Sequence, residues 1–425
     1  MDRVVKALTT ANAKKSAFFY LGSFLLSFGN YLFHLLLLRL LSPAEYGEFL
    51  TYISFLYLLT IPNQTISILV TKYVSDFIGK QENKKMNKFF YYLLSRLLLP
   101  TILMGLIVIA TSKLWAGLFK AHPLAFIILG ISLVTNVFGA IIGAYLMALQ
   151  KFLYQNWVGF ISLLIKLSGA YLLVTIGLRA TGAIVALLSA GLFHLILVFW
   201  KIKSYIYPPE SYQLKIKFEM KNLAWYSLLF SAGVMSLMST DVLLVRYYFS
   251  PEASGYYSAI SVLGRMIFFG LAPLSILLLP MVSNRYAAGK PSMGVLFKLL
   301  FANMGLGIIG VGIFSLVPEL VIKILSGSQY LIVANLLPKF SLLMWLLSIS
   351  NLLMSYLIAV NRHTSAIWVG LIALFQPGMI ILFHQNLTQI VNINLITQGM
   401  LIVVLLIQIV TMLFYQTDRK AIASG

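Results

Sequence analysis

The stretch Arg39–Phe55, RLLSPAEYGEFLTYISF, is a short polar corner between two long apolar runs, and Arg246–Val262, RYYFSPEASGYYSAISV, writes nearly the same corner again. Pro43 and Gly47 match Pro251 and Gly255 in a P-x-x-x-G spacing at an offset of 208. In each copy the proline is expected to set a turn, the glycine to relieve it, and the preceding arginine to sit among outer headgroups. The agreement continues beyond the corner. Val74-Ser75 recurs as Val282-Ser283, again 208 residues on, and AYLMALQK (144–151) with Trp157-Val158-Gly159 recurs as SYLIAVNR (355–362) with Trp368-Val369-Gly370 at an offset of 211. A near-constant offset across several apolar segments marks a tandem duplication.

Composition sets the solvent in which the two copies fold. Of 425 residues, 60% are hydrophobic and 10% charged, and the mean hydropathy is +0.93. A water-soluble surface needs far more charge, so the chain reads as an integral membrane protein. The absence of cysteine excludes disulfides and Cys-ligated metals.

A bilayer core takes about 20 apolar residues per helix. Hydropathy places twelve spans near 17–38, 49–70, 89–110, 124–147, 156–177, 180–200, 223–245, 256–280, 296–317, 336–360, 364–384 and 393–415. The apolar run after the basic start is too long for a cleavable signal peptide and is expected to be retained. With the N-terminus inside, 21 of the 31 Lys and Arg fall on inner segments and seven on outer ones, and Arg96, Lys166 and Arg265 remain within spans. That bias puts both termini in the cytoplasm and accounts for most of the net +20, leaving no role for nucleic acid.

The expected organisation is a six-helix lobe over 1–204, a cytoplasmic connector over 205–222 and a second six-helix lobe over 223–425. Six helices is an even number, so both lobes enter the membrane in the same sense. Their pseudo-twofold axis then runs along the membrane normal, with a central cavity expected at the lobe interface.

The corner LSPAEYGEF after an Arg-capped first helix, taken with the duplication and topology, resembles the signature of the polysaccharide transporter family. These are oligosaccharide flippases of the multidrug/oligosaccharidyl-lipid/polysaccharide exporter superfamily. The resemblance spans the whole chain. It implies two lobes in an inverted V that alternate access and carry a lipid-linked sugar across the prokaryotic cytoplasmic membrane, working beside glycosyltransferases and a polysaccharide polymerase.

A charge at mid-bilayer costs about 2.5–3.5 kcal/mol even on insertion scales, so buried polar residues carry the functional reading. Of the eleven acids only Asp241 lies within a span. Lys166 shares a helical face with Gly159, Ser162, Gly169 and Ala170, which suits a crowded interior or a cavity wall. Arg265 lies ten residues into its span with Ser258 and Ser261 on its face. Arg96, near an inner helix end, serves equally as a snorkelling cation or a cavity group. Polar stripes run along the first span (Ser23, Ser27, Asn30, His34), the second (Thr60, Asn63, Gln64, Ser67, Thr71, with Pro62 as a kink) and the fourth (Ser132, Asn136, Gly139, Gly143). One stripe alone would serve as helix–helix glue; several in one lobe suggest a hydrated lumen.

His34 and Asp241 each lie five residues before the corner arginine, matching places in the two copies. They are candidates for coupling to Na+ or H+, against a structural His and an Asp paired with Arg265 or Arg246.

Two or three buried cations against one acid favour an anionic cargo such as a polyprenyl-diphosphate-linked oligosaccharide, with Arg265, Lys166 and Arg96 on the phosphates. Ser27, Asn30, Asn63, Gln64, Asn136 and aromatic residues such as Tyr31, Tyr57 and Trp225 would meet the sugars. The alternative is a cation-coupled multidrug antiporter of the same superfamily, which needs carboxylates in its cavity. A lipid-linked peptidoglycan-precursor flippase typically carries two further helices. A polytopic polysaccharide polymerase needs a large outer loop with catalytic groups, and His122, His384 and Glu319 form no such cluster. Spaced acid, base or metal ligands are missing, so no enzyme is expected; no Walker-type phosphate loop occurs, so no nucleotide-driven pump is expected, and no cofactor is implied beyond the coupling ion.

Overall fold

The computed structural model describes Gly22 and residues 25–207, 221–288, 290–362 and 364–424, with backbone alone at 221–224, 280, 284, 287 and 413–424. Ser23, the N-terminal basic residues and most of the expected connector (208–220) lie outside the described residues.

The chain divides into two compact units, Met1–Glu219 and Met220–Gly425. In the first, α1 (Leu25–Leu40) is followed by α2 (Pro43–Leu59), α3 (Ile61–Gly79), α4 (Asn83–Ala110), α5 (Ser112–Leu118), α6 (Pro123–Ala148), α7 (Phe152–Leu173) and α8 (Arg179–Ile202). The second holds α9 (Lys221–Tyr248), α10 (Pro251–Ala287), α11 (Met293–Leu316), α12 (Pro318–Leu325), α13 (Leu337–Ala359), α14 (Ser365–Leu382) and α15 (Leu387–Ser424). Among the described residues there is no strand.

Among the described residues, nine helical stretches are long and apolar enough to cross a membrane, or ten if the bent pair α2–α3 counts as one span. This is a multi-pass membrane architecture. The twelve hydropathy spans do not map one-to-one onto that count, for local reasons. The first span is described only from Leu25, as the shorter apolar helix α1. The stretch Phe152–Tyr205 runs to 54 residues because one turn of π-helix joins α7 to α8. There Gly177 (φ 99°) and Arg179 (φ 50°) leave the helical region and reverse the chain. α8 then packs back along α7, with the Tyr154 hydroxyl donating to the Leu197 carbonyl at 2.9 Å. The bend of 47° between α2 and α3 falls at Thr60, with Pro62 in the first turn of α3, where the sequence placed a kink.

The repeated corner is a helix start. Ser42 is the N-cap of α2 and Pro43 its first residue. The Ser42 hydroxyl accepts the Glu45 N–H at 3.4 Å while Glu45 accepts the Ser42 N–H at 2.9 Å, a complete capping box. In the second copy Ser250 caps α10, accepting the Ala253 N–H at 3.2 Å. Such a cap stabilises a helix by about 0.5–2 kcal/mol. Two expectations are corrected here. Gly47 and Gly255 lie inside α2 and α10 and relieve no turn; among the described glycines only Gly177 and Gly327 have positive φ. Arg246 is 2% exposed and donates toward the Pro251 carbonyl, so it is a buried brace of its corner and not a headgroup anchor, whereas Arg39 is exposed.

The second repeated segment has the same structure in both units. AYLMALQK ends α6 with Gln150 at φ 56°, and SYLIAVNR ends α13 with Asn361 at φ 59°. Lys151 N–H reaches the Leu146 carbonyl and Arg362 N–H the Leu357 carbonyl, at 3.1 and 2.8 Å, closing Schellman-type caps. The buried Tyr145 donates to the Met86 carbonyl at 2.9 Å, and the matching Tyr356 lies 3.4 Å from Ser292 Oγ. Each tyrosine thereby ties its helix end to the start of α4 or α11.

Packing inside each unit follows from small residues. α6 packs against α3, α4 and α8. Where it crosses α4, a Cβ at Gly105 would come within 2.7 Å of the Gly130 carbonyl, and one at Gly130 equally close to that of Gly105. Only glycine on both sides allows this backbone approach. In the second unit α13 holds the centre, against α10, α11 and α15.

Candidate functional site

In the first unit the face of α7 around Lys166 is crowded. A Cβ at Gly159 would meet Leu26 of α1, and one at Gly169 would meet Ala186 of α8. Lys166, 9% exposed, points into this packing. Its ammonium donates to Asn30 Oδ1 and lies 4.5 Å from the centre of the Phe33 ring. No carboxylate among the described residues pairs with it. Asn30 is positioned by its own donation to the Leu26 carbonyl at 3.0 Å. One turn earlier on α7, Ser162 Oγ lies 3.3 Å from His194 Nδ1. His34, from the stripe that supplies Asn30, lies 3.3 Å from the Tyr46 hydroxyl at Nδ1 and packs beside Phe33 and Phe49.

The other first-unit candidates are dispersed. Ser27 and Gln64 are exposed and Asn63 is half-buried on α3. Asn136 is exposed on α6 and donates back to the Ser132 carbonyl at 2.7 Å. Arg96 is exposed on α4, its guanidinium 5.8 Å from the centre of the Tyr92 ring. Lys166, Asn30 and Phe33 therefore form one cluster, and Arg96 is not part of it.

In the second unit Asp241 organises a buried polar cluster. Oδ1 accepts the Val242 N–H at 2.9 Å; Oδ2 accepts the Tyr257 hydroxyl at 2.5 Å and Asn394 Nδ2 at 3.0 Å. Asn394 also donates to the Tyr257 oxygen at 2.9 Å and accepts from Gln376 Nε2 at 2.8 Å. Gln376 Oε1 is buried without a partner. Helices α9, α10, α14 and α15 each contribute one of these four residues. Arg265, 6% exposed, donates to the Met238 carbonyl from Nη2, leaves Nε unpartnered, and acts on Asp241 through space. Asp241 is thus held by hydrogen-bond donors and makes no ion pair among the described residues. His34 and Asp241 belong to different units, each with its own hydroxyl partner.

Sequence reading singled out Asp241 and Arg265 but not Tyr257, Gln376 or Asn394, which hold the carboxylate. An Asn or Gln alone on an otherwise apolar helix makes no stripe, and Gln376 beside Pro377 reads as a helix irregularity. Among the described residues no group of three or more His, Asp or Glu could hold a metal ion. Chemically, the first unit offers a buried cation with no carboxylate partner among the described residues, and the second a carboxylate able to bind a proton or a monovalent cation.

No protein-family model and no curated protein sequence matches the chain. Solved structures do. The lipid II flippase MurJ, in an inward closed conformation, aligns with a TM-score of 0.75 at 16% identity over 92% of this chain and 87% of that one. An inward-facing multidrug resistance MATE transporter of the MOP superfamily aligns with 0.73 at 10% identity over 91% and 95%. A MATE in the bent conformation gives 0.62 at 11% over 90% and 92%. These neighbours are transporters and a flippase, not enzymes. The chain has the all-helical membrane fold of the MATE and MurJ transporters.

Proposed function

We propose that this chain is a flippase of the polysaccharide transporter branch. It carries a polyprenyl-diphosphate-linked oligosaccharide from the inner to the outer leaflet of the prokaryotic cytoplasmic membrane by alternating access, in surface polysaccharide biosynthesis. The observation that supports this reading is the sequestered ammonium of Lys166, held by an amide and an aromatic face with no carboxylate among the described residues to neutralise it. Removing a cation from water without a counter-ion costs several kcal/mol, and an incoming phosphate recovers that cost. Arg265, with an unused Nε, is the second phosphate donor. An inside-negative potential adds about 2.3 kcal/mol per negative charge per 100 mV toward outward transfer. Asp241 is the coupling group for Na+ or H+, with His34 as the first-unit counterpart. Neutral Lys166→Gln and Arg265→Gln variants should insert normally and lose export of the lipid-linked glycan; wild-type export from both would refute the assignment.

The buried Asp241 carboxylate favours a second reading, an organic-cation antiporter like the MATE neighbours. In that case Asp241→Asn would abolish dye efflux, and Lys166→Gln would leave it intact.

A further inference from the structure

A largely apolar cavity in the first unit, with a few polar groups in its lining, lies away from Lys166. It has a volume of about 570 Å³ and is bounded by α3, α6 and the start of α7. Ser67, Thr71 and Ser75 line it at i, i+4 and i+8 of α3, with Lys72 beside them and Gln155 opposite. Some hydroxyls of this unit bond back to their own helix and others, Ser54 and Thr65 among them, do not. Thr60, Thr111, Ser132, Ser162 and Thr175 all donate back to a carbonyl one turn earlier; the three cavity hydroxyls make no such bond and stay available. Gln155 Oε1 is shut from solvent and also unpartnered. Lys72 forms no ion pair with a described residue; Asp76, one turn on, is not part of the lining.

The far wall is built to leave room. A Cβ at Gly139 or Gly143 would meet nothing within 4 Å, so both open directly onto empty space. Ile68, Ala140 and Met147 make the rest of the wall apolar. One free ammonium and three free hydroxyls beside an apolar wall match a phosphate joined to a hydrocarbon chain. Lys72 lies two turns from the end of α3, on the side of the unit that carries Lys80, Lys84, Lys85, Lys88 and Lys151 and that the charge count assigns to the cytoplasm.

We propose that this cavity is a loading subsite for the phosphate head of a polyprenyl-diphosphate lipid in the inner leaflet, engaged before the cargo reaches Lys166. The proposal rests on the flippase reading and deepens it. The test is native mass spectrometry of the full chain in detergent. Three ligands are offered to the wild type, Lys72→Gln and Gly143→Leu: a polyprenyl diphosphate, phosphatidylglycerol and inorganic diphosphate. Leucine at 143 fills the space and favours the helix, so that variant folds. The expected result is binding of the polyprenyl diphosphate weakened about tenfold in each variant, with phosphatidylglycerol and inorganic diphosphate competing poorly. Unchanged binding in both variants overturns the subsite. Equal competition by phosphatidylglycerol overturns the cargo assignment, because the site then serves any phosphate-headed lipid. Wild type that binds polyprenyl diphosphate through this site yet moves none across a bilayer would refute the flippase reading and leave the subsite standing.

Discussion

Replacing Lys166 with methionine separates structural from transport roles, because the terms can be weighed. The ammonium gives up a charge-assisted hydrogen bond to Asn30, worth about 1.5–3 kcal/mol. It also gives up a cation–π contact at 4.5 Å from Phe33, about 0.5–2 kcal/mol. Against these losses, the methionine removes the cost of a charge inside the membrane, about 2.5–3.5 kcal/mol on insertion scales. Asn30 keeps a backbone partner in Leu26. The terms nearly cancel, so Lys166→Met should unfold within about 2.5 kcal/mol of wild type, at a nearly unchanged Tm. Under the proposed function transport should behave differently, since nothing would replace the phosphate contact assigned to Lys166. The same 1.5–3 kcal/mol, now missing from cargo binding, predicts a loss of about ten- to a hundredfold in lipid-linked glycan flux. The assay pairs a thermal melt of purified protein with flux in proteoliposomes. A variant that melts normally and transports at the wild-type rate would refute the reasoning. So would one destabilised by more than about 4 kcal/mol, because Lys166 would then be a structural post.

Asp241→Asn removes the charge and keeps one oxygen to accept from Tyr257 and Asn394, at the cost of the Val242 N–H acceptor; transport should continue in part while losing its response to sodium and pH gradients, measured as flux with and without each gradient. Gln150→Gly should raise stability by up to about 1 kcal/mol, since a left-handed cap at φ 56° strains a side-chain-bearing residue. Asn361→Gly at φ 59° should gain less, because asparagine tolerates that region. Equal destabilisation of both in denaturant melts would show that side-chain contacts, not backbone strain, dominate these caps.

Much of the architecture was legible because membrane helices are written in bulk hydropathy, and because two matching corners and two matching helix ends survive in a chain with few polar residues. The corner was legible in place but not in mechanism. P-x-x-x-G drew attention to proline and glycine, while the atom that starts the helix is the Ser42 or Ser250 hydroxyl one residue earlier. Arg246 misled for a related reason: an arginine at a helix end reads as interfacial, and only tertiary packing shows it folded inward. Around Lys166 the small-residue face was readable from periodicity, which left a crowded interior and a cavity wall both open; Leu26 and Ala186 lie against two of its small residues. The cluster around Asp241 was half legible. A lone acid in a span stands out, but its partners come from three other helices up to 153 residues away, and no local pattern joins them.

The most direct test of the central claim is a side-by-side flux measurement on the wild-type chain in one proteoliposome preparation, with a polyprenyl-diphosphate-linked glycan and a lipophilic organic cation as competing cargoes. The cationic interior of the first unit predicts movement of the diphosphate-linked glycan and no efflux of the cation. Gradient-driven cation efflux with a stationary glycan lipid would contradict it.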